Sequence, residues 1–353
     1  MTWALPLVVL RLLGAASDGK KMIGQPKPSQ LRVGIIGASR VATYAIINPA
    51  RAVDGVCVTA IAARDPNRAA DYARLHGIPR VHGSYEALMA DPEIDLVYIS
   101  TPPSCHAGQA LSAIGAGKPV LVEKPFAMTA TEARRVHDAG QAAGITVMEA
   151  MHSLHHALFG RLGSLLAEGS IGHVRNVRAE FSVPIARNDE EFRWDPDLGG
   201  GALMDLGVYP IAWCRRLLGE SFTVTSAEGA FKRGVDETFT ASLQFTNSVT
   251  AEVTSSMVAA TPVARLLIEG TKGSLQVVNP LAPQKGHELR IITVAGETAE
   301  TVDGPSTFEA QLIAVRNSLV HHTLFPLPAD DYLRSMKAID AVRAAWERSQ
   351  PNS

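Results

Sequence analysis

Val33-Gly34-Ile35-Ile36-Gly37-Ala38-Ser39-Arg40-Val41-Ala42 is the stretch on which the reading of this chain turns. An apolar strand run ends at Gly37 and passes into an alanine-rich helix. A turn of the form G-x-G-x-x-G/A between strand and helix suits a dinucleotide pyrophosphate. The first glycine makes the tight turn, the second lets the backbone approach the phosphates, and the third position packs helix on strand. Gly37 and Ala42 fill the first and third positions. Ser39 stands at the second, where its side chain takes up room but can donate to a phosphate.

The pattern continues downstream. Val56 to Ala62, Ile94 to Ser100, Val120 to Val122 and Thr146 to Glu149 read as strands. Between them, Asp65-Pro66 opens a helix that Gly77 ends, a second runs from about His106 to Ala116, and a third from Thr131 to Ala143, capped by Thr129 or Thr131. Apolar strands alternating with helices predict a parallel sheet covered on both faces. Residues 31–150 therefore read as an α/β Rossmann domain, a doubly wound sheet whose ligand lies outside the carboxyl ends of the strands.

After residue 150 the texture changes. Val174 to Val183, Phe222 to Phe231, Phe239 to Phe245, Val249 to Met257, Ala264 to Ile268, Ser274 to Val278 and Leu289 to Val294 alternate or are joined by short turns such as Thr246-Asn247-Ser248. With helices around Ala202 to Leu218 and Asp330 to Arg348, residues 151–353 read as an α+β domain with a mostly antiparallel sheet. Residues 1–30 form an N-terminal extension. Its apolar run Trp3 to Leu10 is broken by Arg11 and lacks the preceding positive charge of a secretory signal, so an export signal or anchor is the lesser alternative to an unstructured leader with a second start at Met22. Gln25 to Gln30 reads as a linker.

Composition narrows the function classes. The 353 residues carry a formal net charge of −2, without the basic excess that a nucleic-acid partner requires, and aromatics are only 6%, too few for single-strand stacking platforms. No uninterrupted apolar stretch reaches the roughly 18 to 20 residues of a membrane span. Three dispersed cysteines without a CxxC pair argue against a disulfide framework and for a reducing, cytoplasmic setting.

Three further sites invite chemistry. Arg64 stands at the end of the second strand, where an acid would bind a ribose 2′-hydroxyl and an arginine a 2′-phosphate. With Asp65 more simply a helix cap, NADP(H) is favoured and NAD(H) remains open; the plainer reading of Arg64 is a solvated side chain. Glu123-Lys124-Pro125 follows the Val120–Val122 strand in a chain of only nine lysines. A lysine there can favour the deprotonated form of a substrate hydroxyl, and Pro125 suggests a constrained turn, cis included, that aims it; the alternative is a surface ion pair. Gly199-Gly200-Gly201-Ala202-Leu203-Met204-Asp205-Leu206-Gly207-Val208-Tyr209 offers three glycines for a close backbone approach to a ligand. Asp205 and Tyr209, four apart, share a helix face and can orient a hydroxyl and exchange its proton, or else simply pack.

The order and spacing of VGIIGASRVA, EKP and GGGALMDLGVY resemble the glucose-fructose oxidoreductase / inositol dehydrogenase (Gfo/Idh/MocA) family, from about Leu31 to Arg348. The tyrosine at 209 makes the chain most similar to the NADP-linked dihydrodiol and aldose dehydrogenase branch. The resemblance implies a second domain with a large open sheet used for homodimer or homotetramer contacts, and no metal. It implies that Lys124 holds the reacting hydroxyl, that Asp205 orients the substrate and that Tyr209 donates or accepts the proton. Gly37, Ser39, Arg40, Val41, Ala42, Arg64, Thr101, Pro102, His106, Glu123 and Lys124 would then contact the cofactor, and Arg193 and Trp194 the substrate. Three departures stand out: Ser39 for glycine, Pro103 where asparagine is common, and Leu154 and Ala157 where arginine and proline are usual.

The expectation is an oxidoreductase moving hydride between nicotinamide and a secondary alcohol or carbonyl of a small sugar, polyol or cyclic diol. A catalytically silent nucleotide-binding sensor or scaffold of the same fold is the alternative. Pocket shape is assigned to the loops around Phe181 to Trp194 and Met257 to Val263. The spacing of His152, His155 and His156 permits two imidazoles on one helical face, a metal pair, but no acidic or cysteine partner is evident.

Overall fold

The computed structural model describes residues 30–188, 191–246 and 248–350. The Trp3–Leu10 run, Met22, the linker up to residue 29 and Asn247 of the expected turn lie outside the described residues.

Six strands form the first sheet: β1 (Leu31–Ile36), β2 (Val56–Ala62), β3 (Arg80–Val81), β4 (Leu96–Ile99), β5 (Val120–Val122) and β6 (Val147–Glu149). Their order is β3-β2-β1-β4-β5-β6 and every pairing is parallel. The order reverses between β1 and β4, which opens a crevice at their carboxyl ends. Against the faces lie α1 (Arg40–Ala42), continued through a wide π turn at Thr43–Ile47 into α2 (Asn48–Ala52), then α3 (Pro66–His76), α4 (Tyr85–Ala90), α5 (Pro103–Gly115) and α6 (Ala130–Ala143). Asp65 caps α3 by accepting from the Asn67 N–H, and Thr129 caps α6 through the Glu132 N–H. Helix α5 begins at Pro103, three residues before the expected His106, because proline costs nothing in a helix's first turn.

The second part contains α7 (Ala157–Ala167), β7 (Val174–Ser182), α8 (Val208–Leu218), β8 (Phe222–Lys232), β9 (Val235–Phe245), β10 (Thr250–Ser256), β11 (Val263–Gly270), β12 (Gly273–Val278), β13 (Glu288–Thr293), β14 (Gly296–Glu300), α9 (Thr307–His321) and α10 (Asp331–Ser349). Eight strands make one sheet in the order β14-β13-β12-β11-β7-β10-β9-β8. It is antiparallel except at its centre, where β7 and β10 pair in parallel. Alternate residues such as Ala251, Val253 and Ser255 are buried while Thr250 and Glu252 are exposed, so one face packs on the core and the other faces solvent.

Helix α9, which the sequence reading did not expect, crosses back to the first sheet. Its Leu312 and Val315 are buried in one cluster with Leu31, Ile35, Tyr98 and Leu121. A Ser306–Glu309 capping box starts it. The chain thus closes over the first domain before α10 packs beside α6 and β8.

Candidate active site

The fingerprint turn has the backbone a dinucleotide needs. Gly37 has φ +99°, and a Cβ there would press on the Ser100 carbonyl and Thr101 Cγ2 at 3.2 Å. Ser39 is extended at φ −101°, so a side chain is accommodated without strain. Its hydroxyl accepts from the Ala42 N–H and donates to Ser100 Oγ at 2.9 Å, which turns it into the fold and caps the helix. That helix begins just past the carboxyl end of β1, where a helix N-terminus is a favourable seat for phosphate.

At the tip of β2, Asp65 is committed to its cap, while Arg64 is exposed with no ion pair among the described residues. The guanidinium at that tip is free to meet an anionic group. Arg68 reaches the same turn and donates to the Ala38 carbonyl at 2.9 Å.

Lys124 stands one residue past Glu123 at the carboxyl end of β5, and its peptide to Pro125 is cis. Its Nζ donates to both the backbone carbonyl and Oδ1 of Asp205, each at 2.7 Å, and lies 5.1 Å from the centre of the Tyr209 ring. The expected meeting of Lys124, Asp205 and Tyr209 is thus present. Asp205 belongs to a π turn, Leu203–Gly207, that leads into α8, so the carboxylate and the phenol both face Lys124. Burial alone would raise the Asp205 carboxyl, but Lys124 and the Arg193 guanidinium, 2.8 Å from Oδ2, hold it below the usual carboxylate range.

From there a chain of alternating charge runs to the fingerprint. Arg193 pairs with Glu191 at 3.3 Å, and Glu191 with Arg40 at 3.2 Å. Arg40 and Arg193, expected on the cofactor and substrate sides, are joined through Glu191, which the sequence reading did not single out.

Glu123 accepts from the Tyr98 hydroxyl at 2.6 Å, and burial, partly offset by that bond and by Lys124, pushes its carboxyl up to about 7. His106 is buried between two loops, with Nδ1 2.9 Å from the Pro125 carbonyl and Nε2 2.8 Å from that of Thr101. It ties the Thr101-Pro102 segment to the Lys124 turn rather than lining the cleft. Trp194 turns away too; its indole donates to the Ala186 carbonyl at 3.2 Å, under Arg187.

One expectation needs correction. The three glycines approach the protein's own atoms, not a ligand: a Cβ on Gly199 would meet Pro103 and Met128, one on Gly200 the Arg193 carbonyl, and one on Gly201 (φ +113°) the Asp236 carboxylate. That carboxylate in turn accepts from the Leu203 N–H at 2.6 Å and fixes the start of the Asp205 turn. The histidines form no metal pair, because His152–His155 is a 3-10 turn and His156 is the extended N-cap of α7. His152 bonds Tyr209, His155 lies against Phe325, and His156 accepts from the Leu158 N–H. Among the described residues, no group of three or more His, Cys, Asp or Glu is arranged to hold a metal.

Around the trio lies an open cleft of about 450 Å³, walled by Tyr44, Phe181, Ile185 and Phe308. The expected Phe181–Trp194 loop forms one side. The other is Leu281–Lys285, in place of Met257–Val263. Gln284 and Phe308 carried no local signal, since they reach the cleft only through the β12–β13 connection and the return of α9; His152, weighed above only as a metal ligand, enters it from the 3-10 turn after β6.

The chain is similar to known proteins along most of its length. Residues 31–151 match the oxidoreductase family with an NAD-binding Rossmann fold, and residues 159–276 match the GFO/IDH/MocA C-terminal domain. The D-xylose 1-dehydrogenase (NADP(+)) 2 of Haloferax volcanii is 32% identical over 319 residues, covering 89% of this chain and 97% of that protein. A trans-1,2-dihydrobenzene-1,2-diol dehydrogenase of Xenopus laevis is 36% identical over 222 residues, 62% of this chain and 66% of that protein. KijD10, a 3-ketoreductase of Actinomadura kijaniata solved with NADP and TDP-benzene, superposes with a TM-score of 0.83 at 28% identity, covering 90% of this chain and 98% of that one.

Proposed function

The chain belongs to the GFO/IDH/MocA family of NAD(P)-binding oxidoreductases, and on that premise we propose that it is an NADP(H)-dependent dehydrogenase or reductase interconverting a secondary alcohol and a carbonyl on a sugar, polyol or cyclic diol. The observation that carries the reading is the convergence of Lys124, Asp205 and Tyr209 at the end of β5, beside the fingerprint crevice. Bound across that crevice by Gly37, Ser39, Arg40, Val41, Ala42 and Arg64, the nicotinamide nucleotide would supply or accept the hydride.

The residues of the chain do the rest. An ammonium has three hydrogens, and Asp205 takes two of those on Lys124, which aims the third into the cleft. There it stabilises the oxygen of the reacting carbon as negative charge develops, an interaction stronger in the transition state than in the ground state. Arg193 holds the other Asp205 oxygen and so fixes the carboxylate's orientation. Tyr209 exchanges the hydroxyl proton with that same substrate oxygen.

The solvent-facing side of the eight-stranded sheet supports assembly as a homodimer or homotetramer, and the three free cysteines support a reducing, cytoplasmic setting. Native mass spectrometry of protein purified without added nucleotide tests the cofactor assignment and the assembly together. Retained NADP(H) supports it. Retained NAD(H), or failure of both nucleotides to bind on titration, contradicts it.

A further inference from the structure

His152 has no part in the roles assigned above, yet both its ring nitrogens are engaged at the base of the cleft. Nε2 lies 3.0 Å from the Tyr209 hydroxyl and Nδ1 2.9 Å from Thr307 Oγ1. The ring stacks on Phe308 with centroids 4.0 Å apart, which fixes its plane.

Thr307 determines which nitrogen carries the proton. Its backbone N–H donates to Gln284 Oε1 at 3.3 Å, which orients that amide, so Gln284 Nε2 donates to Thr307 Oγ1, also at 3.3 Å. Thr307 is wholly buried, and its hydroxyl still has one hydrogen to place. Its other partner among the described hydrogen bonds is His152 Nδ1. That hydrogen is satisfied only if Nδ1 is bare, and a neutral imidazole then carries its proton on Nε2, facing Tyr209.

We propose that His152 is a positioning residue for Tyr209: its Nε2–H donates to the phenol oxygen, turns the phenol's own proton toward the cleft, and holds the phenolate left when that proton passes to the substrate oxygen. The inference rests on Tyr209 being the acid–base group. In carbonyl reduction the Tyr209 O–H bond breaks as the new alcohol O–H forms. In alcohol oxidation the proton returns to the same phenolate oxygen, and the proton on Nε2 stays in place throughout.

The surroundings make such a donor necessary. Burial, followed by Glu123, Tyr44, Asp205 and Glu149, drives the Tyr209 hydroxyl well above its ordinary pKa. Lys124 faces the ring but spends two of its three hydrogens on Asp205. The imidazole itself is pushed down to about 3 by burial, with Lys124, His155 and Lys285 opposing a positive charge on it. It therefore donates as a neutral group.

Two measurements test this on the full chain. Side-chain ¹⁵N NMR, with His152 assigned by its absence from His152→Gln, is expected to show the Nε2–H tautomer across neutral pH; the Nδ1–H tautomer or an imidazolium overturns the proposal. In the pH profile of alcohol oxidation, His152→Leu is expected to move the limb set by Tyr209 upward by about one unit, and His152→Gln, whose amide can still donate, to restore most of it. Thr307→Val removes the donor to Nδ1 without touching the cleft, and is expected to shift the same limb the same way should the His152 variants not fold. A limb unmoved in every folded variant overturns the role. Absence of turnover in the unsubstituted protein would instead contradict the proposed function, and the tautomer measurement would still decide the hydrogen bond.

Discussion

Lys124 and Asp205, 81 positions apart, meet at 2.7 Å, with side chains only 13% and 11% exposed. The pair joins the carboxyl end of β5 to the turn that opens α8, so the geometry of one domain's strand is locked to the Asp205 turn of the other. Its buried carboxylate balances two cations, Lys124 and Arg193.

Asp205→Ala leaves both cations without their counter-ion. Removing one partner from a buried pair costs on the order of 3 kcal/mol. The variant is expected to unfold at lower urea concentration by that amount, and its kcat to fall more than its KM rises, because Lys124 is no longer aimed. Unchanged stability would show that the pair is solvated.

Arg64 is the residue expected to read the 2′-phosphate. In Arg64→Ala, NADPH affinity should fall about tenfold or more, the worth of one charge-assisted hydrogen bond, while NADH affinity stays the same. Titration calorimetry with both nucleotides checks this. An equal loss for both would move the assignment elsewhere in the turn.

Glu123 and Glu149 contribute stability that is lost as pH rises through the neutral range. Burial pushes Glu123 up to about 7, and burial together with Asp331 pushes Glu149 up to about 8, from an ordinary value of 4.5. Between 4.5 and those values the unfolded chain has released protons that the folded chain still holds, so unfolding is favoured by raising pH. Glu149→Gln keeps the shape and removes one of the two titrations. Relative to the parent chain, its melting temperature is expected to rise between about pH 5 and 8. An identical slope would show that Glu149 is already ionised in the fold.

Much of this architecture was legible because local pattern and tertiary role coincide. The run Val120–Val122 is apolar and buried throughout and Val56–Ala62 is apolar but for Thr59, as suits strands covered on both faces, and both occur as expected to the residue. Lys124, Asp205 and Tyr209 were readable because each sits where a strand ends or a helix begins. Strand β14, Gly296–Glu300, is a polar edge strand and carries no such pattern. Helix α9 had a readable signal in its Ser306–Glu309 box, but it gave no sign that Leu312 and Val315 would return to the first sheet. His152 was weighed as a metal ligand because its sequence neighbours are histidines. Its actual partners, Tyr209 and Thr307, lie 57 and 155 positions away. The glycines of 199–201 had the right conformational freedom and the wrong neighbour, since Pro103, Met128 and Asp236 arrive there only on folding.

Lys124 is expected to act on the oxygen of the reacting carbon. A panel of sugars, polyols and cyclic diols followed by NADPH absorbance, run on the parent chain and on Lys124→Met beside an NADPH binding titration, tests it directly. Turnover is expected in the parent chain, with a loss of about 10²–10³-fold or more in Lys124→Met and nearly equal NADPH affinity in both. Equal turnover in the two proteins would contradict it.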